Sequence, residues 1–176
     1  MTRFLFMALI FIGGCTKTVI TDNEVAPVEP VDNESINALV VVTTTPFATD
    51  MLAAVNALRA KSCNCGGQIM PPVPALKWNN LLETASVRHA KDMATTKIFS
   101  HTGSDGSTMA TRINATGYKW LSISENIAYG YTSLTAVMAG WTKSAGHCKN
   151  MMSASVTEMG AARNANYWVQ DFGKPR

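Results

Sequence analysis

The first 46 residues constrain this 176-residue chain most, because their pattern predicts an export segment and a tether ahead of one folded domain. The chain starts with a short positively charged segment, and residues 4–12 form an apolar run too short to span a bilayer as a stable helix. Residues 16–37 are acidic, contain prolines and lack aromatic side chains. We therefore expect a signal peptide over residues 1–14, a flexible tether over residues 15–46, and one folded domain over residues 47–176.

The apolar run ends at a cysteine. Ile12-Gly13-Gly14-Cys15 resembles a bacterial lipobox, in which the cysteine receives acyl chains. The resemblance implies a lipoprotein that is held at a membrane by lipid on Cys15 rather than by a transmembrane helix. Thr16 in place of an aspartate implies the outer membrane of a bacterium with two membranes. The alternative is an ordinary secretory signal that happens to contain a cysteine.

Three cysteines remain once Cys15 carries lipid, and disulfides are permitted outside the cytoplasm. Cys63 and Cys65 are too close in sequence to pair with each other without strain. Either of them is therefore a candidate partner of Cys148, and the choice stays open. Such a bond closes a long loop and stabilises the fold by about 4 kcal/mol on chain-entropy grounds.

The formal net charge of the chain is +3, and its bases are concentrated in the folded part. A basic domain could contact anionic lipid headgroups or nucleic acid. However, no run of Lys and Arg and no stripe of aromatic and basic residues accompanies this charge. We expect a monomer that has a membrane as its partner and binds no nucleic acid.

Apolar residues at helical spacing predict four helices in the folded part. The first begins near Thr49, and the second has Asn80 as N-cap with Glu83 completing a capping box. A short helix begins at Ser107. The last has Ser133 as N-cap and ends near Gly146, directly before a histidine.

Alternating side chains predict strands at the end of the chain. Residues 157–163 and 167–172 form a hairpin, and residues 123–130 are strand-like or extended. The element order is thus helix, helix, short helix, extended segment, helix, hairpin. This order predicts an α+β fold in which helices pack on a small, mainly antiparallel sheet.

Five short motifs follow one another along the folded part. They are Phe99-Ser100-His101; Ser124-Glu125-Asn126-Ile127-Ala128; Trp141, Ser144, His147 and Cys148 followed by Asn150-Met151-Met152; Glu158-Met159-Gly160; and Tyr167-Trp168, Gln170 and Phe172-Gly173. Together they resemble the CAP superfamily of cysteine-rich secretory proteins, antigen 5 and pathogenesis-related 1 proteins, also called SCP domains, and its bacterial branch most closely. The resemblance runs from about residue 51 to residue 174. It implies an α-β-α sandwich, with a small, mostly antiparallel sheet between helix layers.

The same resemblance implies a cleft lined by two histidines and two acidic residues. These carry over to His101, Glu125, His147 and Glu158. Two imidazoles and two carboxylates facing one cleft can weakly hold a divalent metal such as zinc, with the histidines binding through neutral nitrogens. The alternative is a hydrogen-bonded network that pins the helices to the sheet, since buried charges need partners. The remaining histidine, His89, lies on an inward helical stripe, and we expect it to be buried and structural.

Function is less constrained than fold, because it depends on a site and not on an architecture. The favoured hypothesis is an envelope-anchored, extracytoplasmic, non-catalytic module that binds a lipid, a glycan or a protein. The alternative is a metal-assisted hydrolase of peptides or esters, in which Glu125 or Glu158 acts as base beside a metal-bound water. A nucleophilic pair of Cys148 and His147 is disfavoured, because adjacent residues rarely orient toward each other. A purely structural envelope protein is the third hypothesis.

Overall fold

The structure is a computed structural model, and it describes residues 45–176. The predicted signal peptide, the predicted lipidation site Cys15 and nearly all of the predicted tether lie outside the described residues. Among residues 45–176, no helix combines the length and the apolar character that a membrane span requires.

The described part consists of five helices and six strands. The helices are α1 (Pro46–Arg59), α2 (Asn80–Thr96), α3 (Met109–Ala115), α4 (Leu134–Lys143) and α5 (Ala145–Met151). The strands are β1 (Cys63–Cys65), β2 (Gln68–Met70), β3 (Lys77–Trp78), β4 (Trp120–Tyr129), β5 (Glu158–Asn164) and β6 (Tyr167–Pro175).

The main sheet has the strand order β3-β5-β6-β4. β6 pairs antiparallel with both β4 and β5, whereas the two-residue β3 pairs parallel with β5. β1 and β2 form a separate antiparallel hairpin. The predicted α+β class with a mainly antiparallel sheet is confirmed.

Helices cover both faces of this sheet. Side chains that are neighbours along a strand point to opposite faces, so the packing partners of β6 tell which helices lie on each face. Trp168 and Phe172 of β6 lie in one buried cluster with Met51 of α1 and Trp141 of α4. Val169, between them in β6, lies in a second buried cluster with residues of α2. The result is the predicted α-β-α sandwich, with α1, α4 and α5 on one face and α2 and α3 on the other.

Three predicted helix starts are wrong by one to three residues, because the capping residues differ from those expected. α3 begins at Met109 rather than at Ser107, since Thr108 is its N-cap. α1 begins at Pro46 rather than near Thr49, since Thr45 caps it by accepting a hydrogen bond from the Ala48 amide. The N-cap of α2 is Asn79 rather than Asn80. The expected capping box is absent there, and Glu83 instead accepts a hydrogen bond from Trp78 Nε1.

The predicted end of the last helix is also wrong. Ser133 is its N-cap as expected, but α4 ends at Lys143. Ser144 has an extended backbone, with φ −82° and ψ 121°, and α5 begins directly after it. His147 therefore lies within a second helix rather than in a loop after the first.

Candidate functional site

His101 and Glu125 are in direct contact, as the four-residue cleft requires. The Nδ1–H of His101 donates to Oε1 of Glu125 at 2.7 Å. Glu125 lies in the middle of β4 with its side chain 2% exposed, whereas the side chain of His101, in the loop between α2 and α3, is 58% exposed. The pair thus consists of a buried anchor and an imidazole that faces solvent.

Arg112 of α3 is the third member of this cluster, and sequence reasoning missed it. Its NH2 group donates to Oε2 of Glu125 at 2.7 Å and to the His101 carbonyl at 3.1 Å, and its NH1 group donates to the Ser107 carbonyl at 2.9 Å. The residue is 1% exposed. One guanidinium therefore neutralises the buried carboxylate and also holds the loop that presents His101.

The environment of Glu125 keeps it ionised. Burial by itself raises the pKa of Glu125, because it penalises the charged form. The hydrogen bond from His101 and the charge of Arg112 outweigh burial, and the pKa of Glu125 lies below its ordinary value. Both carboxylate oxygens already have partners in this arrangement.

Asp171 of β6 is a second buried acid beside Glu125, and sequence reasoning missed it as well. The two residues are opposite each other in the β4–β6 register. Asp171 is 1% exposed, and its Oδ2 accepts a hydrogen bond from Ser86 Oγ at 2.7 Å. Burial, and then the neighbouring charge of Glu125, raise the pKa of Asp171 well above its ordinary value. No local signal in the sequence marks Asp171, because its role follows from its register opposite Glu125.

Amide side chains attach α5 to the edge strand β4. Asn150 Nδ2 donates to the Glu125 carbonyl at 3.2 Å and to Asn126 Oδ1 at 2.8 Å. Asn126 Nδ2 in turn donates to the His147 carbonyl at 3.2 Å and to Gln170 Oε1 at 3.1 Å. The backbone of α5 at His147 is therefore held by the side chain of Asn126, the residue after Glu125 in β4.

His147 is partly buried and lies within electrostatic range of His101. Burial lowers the pKa of His147, and the nearby His101 lowers it further. The structure thus places three of the four predicted cleft residues, namely His101, Glu125 and His147, in one neighbourhood.

Glu158, the fourth predicted residue, is held by other partners. Its Oε2 accepts hydrogen bonds from Tyr118 at 2.8 Å and from Asn79 Nδ2 at 3.0 Å. Glu158 is opposite Gly173 on β6, and β6 separates β5 from β4. Glu158 and Glu125 therefore share a sheet face but are two strand spacings apart, about 10 Å, with an additional stagger along the strands.

His89 is buried, as expected for a structural histidine. It is 0% exposed, and its Nε2 lies 2.9 Å from the Ser100 carbonyl. Burial is the main cause that lowers the pKa of His89. The hydrogen bond joins α2 to the start of the His101 loop.

The exposed side of His101 opens on a groove along β4. A cavity of about 430 Å³ is lined by His101, Thr102, Thr108, Met109, Ile123, Ser124 and Glu125. A neighbouring cavity of about 470 Å³ shares Ile123 and Ser124 with it and continues to Asn150 of α5. The walls combine hydroxyl, amide and apolar side chains with the His101 imidazole, the Lys149 ammonium and Glu125. Convergent polar groups of this kind can fix the orientation of a ligand.

The cysteines of the domain meet where β1 faces α5. Cys65 and Cys148 form the disulfide, with Cα atoms 5.4 Å apart, and Cys63 Sγ lies 3.4 Å from Cys148 Sγ. The choice that the sequence left open therefore falls on Cys65. Within residues 45–176, these three cysteines are the only group of three or more His, Cys, Asp or Glu side chains placed closely enough to share a metal ion.

Comparisons with a family model and with solved structures agree with this fold. A family model described as the cysteine-rich secretory protein family (CAP) matches residues 52–172. The fold is similar to that of an extracellular protein containing a SCP domain from Bacillus anthracis, with 24% identity, a TM-score of 0.65, and coverage of 72% of this chain and 39% of that one. It is also similar to an outer surface protein from Borrelia burgdorferi, with 20% identity, a TM-score of 0.58, and coverage of 73% and 89%.

A sequence relative is named uncharacterized membrane protein YlbC, from Bacillus subtilis strain 168. It is 28% identical over 99 residues, which cover 56% of this chain and 29% of that protein. The chain therefore matches less than a third of the length of this curated relative. The two solved structures support the fold alone.

Proposed function

The chain belongs to the cysteine-rich secretory protein family, and on that premise we propose that it is an extracytoplasmic binding module without catalytic activity. Its apolar N-terminal run and the lipobox at Cys15 support export and lipid anchoring, at the outer membrane of a bacterium with two membranes. The similar proteins are named as an extracellular, an outer surface and a membrane protein, which agrees with that location. The groove along β4 is the binding site, and its ligand is a lipid headgroup, a glycan or a protein segment.

The bonding of Glu125 carries the non-catalytic part of the proposal. A general base must accept a proton in the transition state, and its pKa should lie near the working pH. Glu125 is tied through both oxygens to His101 and Arg112, and its pKa is lowered. This carboxylate therefore serves to position the imidazole and the loop. Glu158, the other predicted base, is hydrogen-bonded two strands away.

We propose that a divalent metal such as zinc is held by His101 and His147 rather than by the full set of four residues. The hydrogen bond between His101 Nδ1 and Glu125 leaves Nε2 as the ligand atom, as in other sites where a carboxylate orients a metal-binding histidine. His147 is the second ligand. With two protein ligands the site is weak, and water or the bound partner completes the coordination.

Calorimetric titration of the purified full-length lipoprotein with zinc tests this site. We expect weak binding to the wild type and none to the double variant His101→Ala/His147→Ala. Thr102→Ala, on the same loop, is the matched control and should bind as the wild type does. No heat with the wild type, or equal heat with the double variant, would remove the metal from the proposal.

Assays of ester and peptide hydrolysis with zinc present separate the binding module from the hydrolase. We expect no turnover above that of the buffer with metal. Turnover that is abolished in Glu125→Gln, while the variant keeps its circular dichroism spectrum, would overturn the non-catalytic assignment.

Mass spectrometry of the protein extracted from membranes tests the anchor. We expect an N-terminus at Cys15 that carries acyl chains. A peptide in which Cys15 is unmodified would exclude lipid anchoring and would leave the groove unaffected.

A further inference from the structure

Three sulfur atoms lie together at the contact between β1 and α5. Cys63 and Cys65 are two residues apart in a strand, so their side chains project from the same side of β1. Cys63 Sγ lies 3.4 Å from Cys148 Sγ, and all three sulfur atoms lie within 4.8 Å of one another. Either cysteine of β1 can therefore reach Cys148 with a small side-chain movement.

The three sulfurs differ in their access to solvent. Cys65 and Cys148 are both 0% exposed, whereas Cys63 is only partly buried. A small thiol in solution therefore cannot reach the disulfide while the domain is closed. It can reach Cys63.

We propose that Cys63, Cys65 and Cys148 form a thiol–disulfide exchange site. The Cys63 thiol loses its proton, and the thiolate attacks Sγ of Cys148. The Cys65–Cys148 bond breaks as the Cys63–Cys148 bond forms, and the Cys65 sulfur leaves as a thiolate that takes up a proton. One disulfide and one thiol are present before and after the step, so no external oxidant or reductant takes part.

Loop closure does not favour either isomer. The Cys65–Cys148 bond spans 83 residues and the Cys63–Cys148 bond would span 85, so their chain-entropy contributions are almost equal. Only local packing distinguishes the two isomers. An isomer disfavoured tenfold, which corresponds to about 1.4 kcal/mol, still holds about a tenth of the molecules.

Exchange makes a buried disulfide accessible. In the second isomer one sulfur of the bond belongs to Cys63, which a dithiol in solution can attack. Reduction then releases α5 from β1. Because α5 carries Asn150, which lines the groove, the redox state of the cysteines controls how firmly this helix is held beside it. The inference goes beyond the proposed binding function and does not depend on it.

Mapping the free thiol in the full-length wild type tests the exchange directly. The protein is incubated anaerobically at pH 8 without redox reagents, quenched in acid, alkylated with N-ethylmaleimide in acidic denaturant, digested and sequenced by mass spectrometry. We expect the label to be divided between Cys63 and Cys65, with about a tenth or more of the total on Cys65. Label that stays on Cys63 alone at every time point would overturn the proposal.

The rate of reduction by dithiothreitol tests the route through Cys63. In Cys63→Ala, reduction has to wait for local opening of the domain, and we expect it to be at least about tenfold slower than in the wild type. Cys63→Ser should behave in the same way, which separates loss of the thiol from a packing defect. Reduction of both variants at the wild-type rate or faster would overturn the proposal.

Discussion

Glu125 and Glu158 lie on the same face of the same sheet, yet their surroundings differ. Glu125 is bound by a buried guanidinium and an imidazole, so its negative charge is met by a positive charge. Glu158 is less buried and is bound by the hydroxyl of Tyr118 and the amide of Asn79, which are neutral donors. A deeply buried carboxylate requires a countercharge, whereas a partly exposed carboxylate is satisfied by neutral hydrogen bonds.

Substitutions around Glu125 should therefore cost more folding stability than substitutions around Glu158. Removing one partner of a buried ion pair leaves an uncompensated charge. Removing a neutral donor from a partly exposed carboxylate leaves a group that water can solvate. The stability of variants in the two regions should therefore differ in a definite order.

Arg112→Met should cause the largest loss. The change leaves the Glu125 carboxylate buried without its cation and frees the loop carbonyls, and we expect a loss of about 3–5 kcal/mol in the free energy of unfolding. Urea denaturation measures it. Arg88→Met is the matched control, because the Arg88–Asp105 pair is exposed on both sides and should matter little. Equal losses in the two variants would erase the contrast between buried and exposed charge.

Glu125→Gln should have the next largest effect. The amide oxygen can still accept one hydrogen bond, and we expect a loss of about 2–3 kcal/mol at pH 7. Because the folded-state pKa of Glu125 is lowered, its contribution is present above its unfolded pKa and is lost as pH falls through the folded value. The gap between wild type and variant should therefore close in acid. A gap that is independent of pH would contradict an ionised Glu125.

Asp171→Asn should have the opposite dependence on pH. The raised pKa of Asp171 means that its contribution is fully present below its unfolded pKa and is lost as pH rises through the folded value. An amide keeps the neutral form at every pH. Relative to wild type, the variant should gain stability between pH 4 and pH 8, as measured by urea denaturation at each pH. A variant that instead loses stability relative to the wild type as pH rises would show that Asp171 is ionised in the folded protein.

Tyr118→Phe should have the smallest effect. It removes one neutral hydrogen bond to Glu158, and we expect a loss of about 1 kcal/mol. A double-mutant cycle with Glu158→Gln isolates the pair and should give a coupling of about 0.5–1 kcal/mol. A coupling as large as the loss expected for Arg112→Met would remove the distinction between the two regions.

Much of the site was visible in the sequence, because short motifs mark it. The Phe99-Ser100-His101 and Glu125-Asn126 motifs pointed to a contact that the structure contains at 2.7 Å. Arg112 and Asp171 were not predicted, because nothing in their local patterns distinguishes a buried arginine on a short helix, or a neutral acid in a strand, from ordinary polar residues. Their roles follow from burial against Glu125, which is a long-range property.

The sequence by itself determined four of the five helices, the hairpin of β5 and β6, the α+β class and the family, because helical spacing, strand alternation and motif order are local properties. The short strands β1, β2 and β3 and the separate helix α5 were not predicted. Tertiary structure alone decided which residues became partners. The strand order β3-β5-β6-β4 placed β6 between Glu125 and Glu158 and so separated two acids that the motifs had grouped. Tertiary packing also decided whether Cys63 or Cys65 pairs with Cys148. Loops of 85 and 83 residues cost nearly the same entropy, so only packing against α5 distinguishes the two cysteines.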